Sequence, residues 1–250
     1  MGERPGDREP GRAVVVGTSD GIGLALTRRL LAEGWGVAGL SRSPSPVEDE
    51  SYRHTVIDVT APGYPAELAA AIAQLGGVDL CVHVAGVGEF LDVTDLSGQT
   101  RTLEVNLMGA AATLAGVVPA MVAAGGGHVI VLSSLADAAV SDAAPAYAAS
   151  KAGLTAYCQG LALALRPHGV TVTTVRLGFV DTKLAKAPST PMLMSPQRAA
   201  GVVMDAVRRR PAVVSRPRRM AVAMRVLGAV QGARLRIRPG TAAAGPGRPR

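Results

Sequence analysis

The sequence predicts a three-layer α/β fold: one doubly wound parallel sheet, in a single domain, with helices on both faces. Three observations carry this. Short apolar runs alternate with Ala/Leu-rich segments of helical period. The strand runs are continuously apolar rather than alternating, as in strands covered on both faces. A chain of 250 residues, 48% apolar and 18% charged with one Trp, four Tyr and two Phe, supports one substantial core built from Ala, Val, Leu and Ile.

In chain order, strands are expected at residues 13–17, 36–41, 53–58, 78–84, 127–133 and 169–176, with a short last strand at 212–215. Helices are expected at 22–34, 66–75, 98–124, 146–166 and 196–210. The link from Arg42 to Arg53 carries Pro44 and Pro46 and is too short for a full crossover helix. Residues 12–215 read as the folded domain, 1–11 as a solvated tail and 216–250 as an Arg-rich, partly disordered extension.

Mean hydropathy of +0.26 excludes disordered, collagen-like and disulfide-framework classes. Cys81 and Cys158 show no metal or redox spacing, so no metal site and a reducing, cytoplasmic setting are expected. The N-terminus does not read as a signal peptide, and no apolar stretch is expected to approach the roughly 20 residues that span a bilayer. From Ala206 to Arg250 there are twelve Arg and no Asp or Glu, so a basic tail follows an acidic body.

Val14 to Gly23, VVVGTSDGIG, runs from a strand through a glycine-rich turn into a helix. Gly17 permits the tight turn, Gly21 allows close backbone approach to a pyrophosphate, and Gly23 allows close helix–strand packing. The amides at the helix start attract an anion. A dinucleotide is the natural ligand, against the alternative of an ordinary glycine-rich turn. Further along, Tyr147 and Lys151 in YAASK stand one helical turn apart on one face. A phenol of ordinary pKa near 10 is a poor acid–base group at neutral pH. An adjacent ammonium together with an oxidised nicotinamide would lower it.

With its Gly-x-x-x-Gly-x-Gly turn and Tyr-x-x-x-Lys helix, the chain resembles the short-chain dehydrogenase/reductase family over roughly residues 12–215, which implies a Rossmann-like sheet. The resemblance implies a catalytic set of Asn106, Ser134, Tyr147 and Lys151. Tyr147 would be the acid–base group, Lys151 its tuner and ribose ligand, Ser134 the residue that positions the substrate oxygen, and Asn106 the holder of a relay water. Ser133 is the neighbour most easily confused with Ser134. The implied cofactor contacts are Gly17, Thr18, Ser19, Asp20, Gly21, Ile22 and Gly23 in the turn, Ser41 and Arg42 after the second strand, and Asp58 and Val59 near the adenine. Ala85 and Gly86 would pass beside the cofactor, with Asn106, Tyr147 and Lys151 facing it. Gly178, Val180 and Thr182 would lie at the nicotinamide. Where a carboxylate would hold an adenosine 2′-hydroxyl stand Ser41 and Arg42, which suit a 2′-phosphate, so NADP(H) is favoured over NAD(H). Asp20 weakens that preference.

The chain departs from the family pattern at Val16 in place of Thr, at His83 and Val84 in place of two Asn, at Leu177 in place of Pro, and in the short segment after Arg42. His83, between Val82 and Val84, reads as a packed core histidine. The expected activity is hydride transfer between nicotinamide and a carbonyl or alcohol carbon. Reduction of an activated carbon–carbon double bond uses the same site. The alternative class is an NADP(H)-sensing regulator or scaffold binding a partner through its basic tail. Met192, Leu193 and Met194 in the loop 179–196 suggest an apolar small-molecule substrate. The helix 98–124 and the helix after Tyr147 resemble family dimerisation faces, implying a homodimer or homotetramer. Residues 216–238 suit a basic amphipathic helix on an anionic membrane or a partner, with a solvated tail as an equal alternative. Specific nucleic-acid binding is not expected without aromatic platforms in the tail, and residues 239–250 are expected to be disordered.

Overall fold

The computed structural model describes residues 11–184 and 190–237, so the tail 1–10, part of the expected substrate loop and the last residues lie outside the described residues. Seven parallel strands form one sheet in the order β3-β2-β1-β4-β5-β6-β7. They are β1 (Arg12–Val16), β2 (Gly36–Ser41), β3 (Tyr52–Val56), β4 (Leu80–His83), β5 (Gly127–Ser134), β6 (Val170–Leu177) and β7 (Val213–Arg216). β1 pairs with β2 on one side and β4 on the other, so the strand order reverses between β1 and β4. A crevice opens at the carboxyl ends of the strands at such a switch point. The β2–β3 link contains no helix, as its prolines require.

Helices α1 (Gly21–Ala32) and α6 (Pro196–Arg209) cover one face, packing Leu26, Leu30, Ala199, Val203 and Met204 on Val15, Val37 and Ile130. On the other, α2 (Tyr64–Gln74), α4 (Ala110–Ala123) and α5 (Pro145–Ala164) pack Leu68, Leu114, Val117 and Leu154 on Val14, Cys81 and Val129. Both faces of the central strands are buried, which explains their unbroken apolar runs.

The segment expected as one helix over 98–124 is α3 (Ser97–Leu103), a π-helical turn over Glu104–Gly109, and α4. The wider turn inserts an extra residue into the helical repeat, a change that apolar periodicity does not register. This region also corrects the expectation about bilayer-spanning stretches: Ser97–Ala123 is long and apolar enough to cross a membrane. It packs into the core instead, with Asn106, Thr113, Leu114 and Val117 buried. The basic tail forms α7 (Arg218–Ile237), which packs on a short turn, Leu135–Ala138, that follows β5.

Candidate active site

The glycine turn is built by exclusion of side chains. Gly17 has φ +99°, and a Cβ on it would stand 2.8 Å from the Ala85 nitrogen. A Cβ on Gly23 would stand 1.7 Å from the Gly17 carbonyl oxygen. β1 and β4 are drawn together here, the amides of Val84 and Ala85 both donating to the Val16 carbonyl. Asp20 caps α1 by accepting from the Gly21 amide at 2.7 Å. The Lys183 ammonium, 2.8 Å from its carboxylate, and the Gly21 amide hold the Asp20 carboxyl below its ordinary pKa. Thr182 sits over the turn, its Cγ2 2.9 Å from where a Gly21 Cβ would be. Gly178 meets Pro217 and Met220, and Val180 bridges to Met194, so the wall after β6 is stitched to its own loop. The turn and this wall meet at the carboxyl end of β1, where Thr182 touches Gly21 and Lys183 pairs with Asp20; the backbone amides and small residues gathered there are of the chemistry that suits a dinucleotide.

At the β2 end, the structure redraws the expected phosphate site. Ser41 is buried and its hydroxyl is engaged, donating to the Ser43 carbonyl at 2.9 Å and lying 2.8 Å from His54 Nε2. Burial pushes the His54 pKa down, which favours the neutral ring that pairs with this hydroxyl. Thr18 likewise turns inward, fully buried, its hydroxyl accepting from the Tyr52 phenol at 3.0 Å. Arg42 is exposed and close enough to Asp58 to help hold its carboxyl low. The Asp58 carboxylate accepts from the Thr60 amide and hydroxyl and pairs with Arg101 at 2.5 Å. Val59 packs into the core against Gly109. Ser19 and Ile22 are half-buried in the turn.

Four elements bring the acid–base residues together. Lys151 on α5 is buried and donates from Nζ to the Leu132 carbonyl of β5 at 3.0 Å. Its Nζ lies 5.8 Å from the Tyr147 ring centroid. A Cβ on Gly86 would stand 3.5 Å from Lys151 Nζ and 3.2 Å from Asn106 Oδ1, so glycine there keeps this space open. The Ser134 hydroxyl, at the end of β5, accepts from the Ala136 amide at 3.1 Å and lies near enough to the Tyr147 phenol to pull its pKa down. Ser133 is structural: its hydroxyl donates to the Lys151 carbonyl and meets Thr155 at 2.7 Å.

Asn106 sits in the π-helical turn, fully buried. Its side chain accepts from the Val87 amide at 2.8 Å and donates to the Val87 carbonyl and the Ser150 hydroxyl. It therefore clamps the strand extension after Gly86 to α5. Gln99 was not among the expected site residues. It caps α5 by accepting from the Ala146 amide at 3.1 Å while donating to the carbonyls of Glu89 and Phe90, fixing the residue before Tyr147. A Cβ on Gly88 would stand 3.2 Å from the Tyr147 ring and 3.1 Å from Leu184, so glycine there lets the chain pass between them.

Asp137 and Arg176 also escaped the sequence reading. Arg176 Nε donates to Asp137 Oδ2 at 2.6 Å, Thr155 donates to the same oxygen at 2.7 Å, and the paired side chains are 6% and 2% exposed. The visible signal was an arginine at the end of an apolar strand. His83 is buried, with Nδ1 3.0 Å from the Thr113 hydroxyl and a pKa driven down to about 3 by burial and then by Lys151, as expected of a neutral core histidine.

Burial raises the Tyr147 pKa more than the neighbouring Ser134 hydroxyl lowers it. The protein alone thus does not give the expected depression. Lys151 is the strongly shifted partner: burial pushes its pKa from 10.5 down to about 8. Below about pH 8 folded and unfolded chains both hold this proton, and the folded state bears the full desolvation penalty. Between about 8 and 10.5 the unfolded chain binds more protons, so this group's contribution to stability rises with pH. Lys151→Met should therefore stabilise the protein at pH 7 by roughly 2 kcal/mol, net of the lost bond to Leu132. Thermal melts should show that advantage shrinking toward pH 10, and an equal difference at both values would refute the assignment.

Among the described residues no group of three or more His, Cys, Asp or Glu could hold a metal ion, and Cys81 and Cys158 are buried free thiols.

Comparison with known proteins places this geometry. A family model described as short chain dehydrogenase matches residues 12–192. An uncharacterized oxidoreductase of Myxococcus xanthus is 34% identical over 228 residues, covering 86% of this chain and 90% of the relative. The human dehydrogenase/reductase SDR family member 4 is 31% identical over 188 residues, covering 70% and 67%. A short chain dehydrogenase from Burkholderia cenocepacia, solved in complex with NADP, shares the fold with TM-score 0.80 at 23% identity, covering 92% of this chain and 99% of that one.

Proposed function

The chain belongs to the short chain dehydrogenase family and is an NAD(P)-dependent oxidoreductase; on that premise we propose that it moves a hydride between nicotinamide, NADP(H) in preference to NAD(H), and the carbonyl or alcohol carbon of an apolar small molecule. The observation that carries this reading is the meeting of Ser134, Tyr147 and Lys151 beside the space that Gly86 leaves open. Bound dinucleotide supplies or accepts the hydride at the substrate carbon. Tyr147 gives its phenolic proton to the carbonyl oxygen in reduction and takes it back in oxidation. Ser134 donates to the same oxygen and orients it. Lys151 would hold the nicotinamide ribose, and its ammonium, 5.8 Å from the Tyr147 ring centroid, favours the phenolate electrostatically. Asn106 keeps the Val87 segment and α5 in register, and the open space beside its side chain suits a relay water. Glycines 17, 21 and 23 with the α1 amides would hold the pyrophosphate, Ala85, Gly86, Gly178, Val180 and Thr182 the nicotinamide half, and Asp58 and Val59 the adenine end.

Leu184, packed with the Tyr147 ring against Gly88, supports an apolar substrate, whereas half-exposed Met192 and Leu193 line a separate cavity with Arg29, Arg198 and Arg216. Outward-facing Met108 on the π-helical turn and Tyr157 and Leu163 on α5 support association as a homodimer or homotetramer through the faces of the expected 98–124 helix and of α5.

With Ser41 engaged by His54, the 2′-phosphate preference falls to Arg42. Fluorescence titration should show tighter binding of NADPH than NADH. Arg42→Ala should weaken NADPH about tenfold to a hundredfold, the worth of one or two charge-assisted hydrogen bonds, and leave NADH unchanged. Equal affinities in the parent protein would overturn the preference. A panel of ketones, aldehydes and alcohols with the favoured cofactor tests the activity itself, and turnover of none of them would defeat the oxidoreductase mechanism.

A further inference from the structure

We propose that α7 is a docking helix for an anionic bilayer surface, a role beyond hydride transfer. One side of α7 is anchored to the body. Met220 and Ala221 are buried with Leu135. A Cβ on Gly228 would stand 1.8 Å from the Ala138 carbonyl, so helix and turn are in backbone contact there. The Gln231 amide pairs with both the N–H and the C=O of Val140, at 3.0 and 3.1 Å.

At about 100° per residue, these anchors fix the opposite side outward. There Val222, Val226 and Val230 rise one turn apart, 63%, 59% and 42% exposed. Exposed Ala223, Ala229 and Ala233 fill the stripe between them. Arg219 heads it, Arg218 and Arg225 run along one border, and Arg234 stands on the other. An apolar strip bounded by guanidinium groups lies naturally in the plane of a membrane interface. The valines enter the acyl boundary, and the arginine stems cover apolar surface while their heads reach anionic lipid phosphates.

Charge selects this occupant over a second copy. Two α7 stripes face to face would bring eight arginines of these positions together, and no Asp or Glu lies between Ala206 and Arg250 to neutralise them. Side-chain chemistry selects it over an acidic protein: the stripe holds only Val and Ala and none of the aromatic anchors that dominate protein interfaces.

Co-sedimentation of the full chain with vesicles of phosphatidylcholine, with and without phosphatidylglycerol, tests the proposal. Binding is expected only with the anionic lipid and should weaken as salt is added. Val226→Asp, and separately Arg219→Glu with Arg225→Glu, should each reduce partitioning about tenfold or more. The changed side chains are exposed, so melting temperature and NADPH affinity should hold, and a loss of either would mark the variant as misfolded and move the test to Val222→Asp. No binding to anionic vesicles would overturn the proposal. Binding that Val226→Asp leaves intact would also overturn it, since it would report diffuse attraction to arginines alone. So would a parent mass by light scattering above that of the Val226→Asp variant without lipid binding, which would assign the stripe to self-association. None of these readouts involves turnover, so their failure is distinct from failure of the oxidoreductase reading.

Discussion

Tyr147→Phe is expected to lower kcat at least about a thousandfold while changing NADPH affinity less than about threefold, within the range that general acid–base catalysis supplies. The substitution removes one hydroxyl and leaves the ring, so contact with the Gly88 backbone and the van der Waals packing of the pocket are kept. What disappears is the phenolic proton that the proposed mechanism passes to the substrate oxygen, together with the influence of Ser134 on it. The effect should therefore appear in kcat and kcat/KM together, the signature of an interaction made in the transition state. Ser134→Ala should cost less, because it removes orientation and one hydrogen bond rather than the proton itself. A pH profile separates the roles further. Lys151, whose pKa lies at about 8, should contribute an inflection near that value that vanishes in Lys151→Met. Turnover by Tyr147→Phe within tenfold of the parent would refute the assignment of Tyr147.

The parts of the site legible in the sequence were those fixed by local geometry. The glycines at 17, 21 and 23 announce backbone positions where a Cβ has no room or φ is positive, and Tyr147 with Lys151 share a face because the helical repeat demands it. The strands were legible because a sheet covered on both sides leaves no polar positions for water. What escaped depended on contacts far apart in sequence. Nothing near Ser41 announces that His54, thirteen residues away across β2 and β3, takes its hydroxyl away from the crevice. The π-helical turn is invisible to apolar periodicity, yet it carries Asn106 to Val87 and α5. Gln99 read as one polar residue on a long helix, while its role as a cap exists only once α3 lies against the start of α5. For the tail the sequence left a basic amphipathic helix and a solvated, partly helical tail as equal alternatives; that α7 forms and which side faces outward depended on the body on which it packs.

The largest loss of stability should follow from a single charge removed behind the site. Asp137 and Arg176 are nearly inaccessible, and their attraction offsets a desolvation penalty that each would bear alone. Asp137→Asn keeps the volume and an acceptor for Thr155 but leaves the guanidinium buried without its counter-charge. The expected destabilisation is about 3–5 kcal/mol, or roughly 10 °C in the melting temperature of a chain this size. Replacing both partners, as Asp137→Leu with Arg176→Met, should recover most of that loss, since the penalty comes from the orphaned charge rather than from the absence of the pair. The same carboxylate raises the pKa of Tyr147 and of Lys151, so the surviving activity of Asp137→Asn should shift to lower pH. Because α7 rests on the turn that holds Asp137, the single variant should also expose the tail helix to proteolysis before the body unfolds. A melting temperature within two degrees of the parent would show that water already reaches this pair and that its burial carries no energetic consequence.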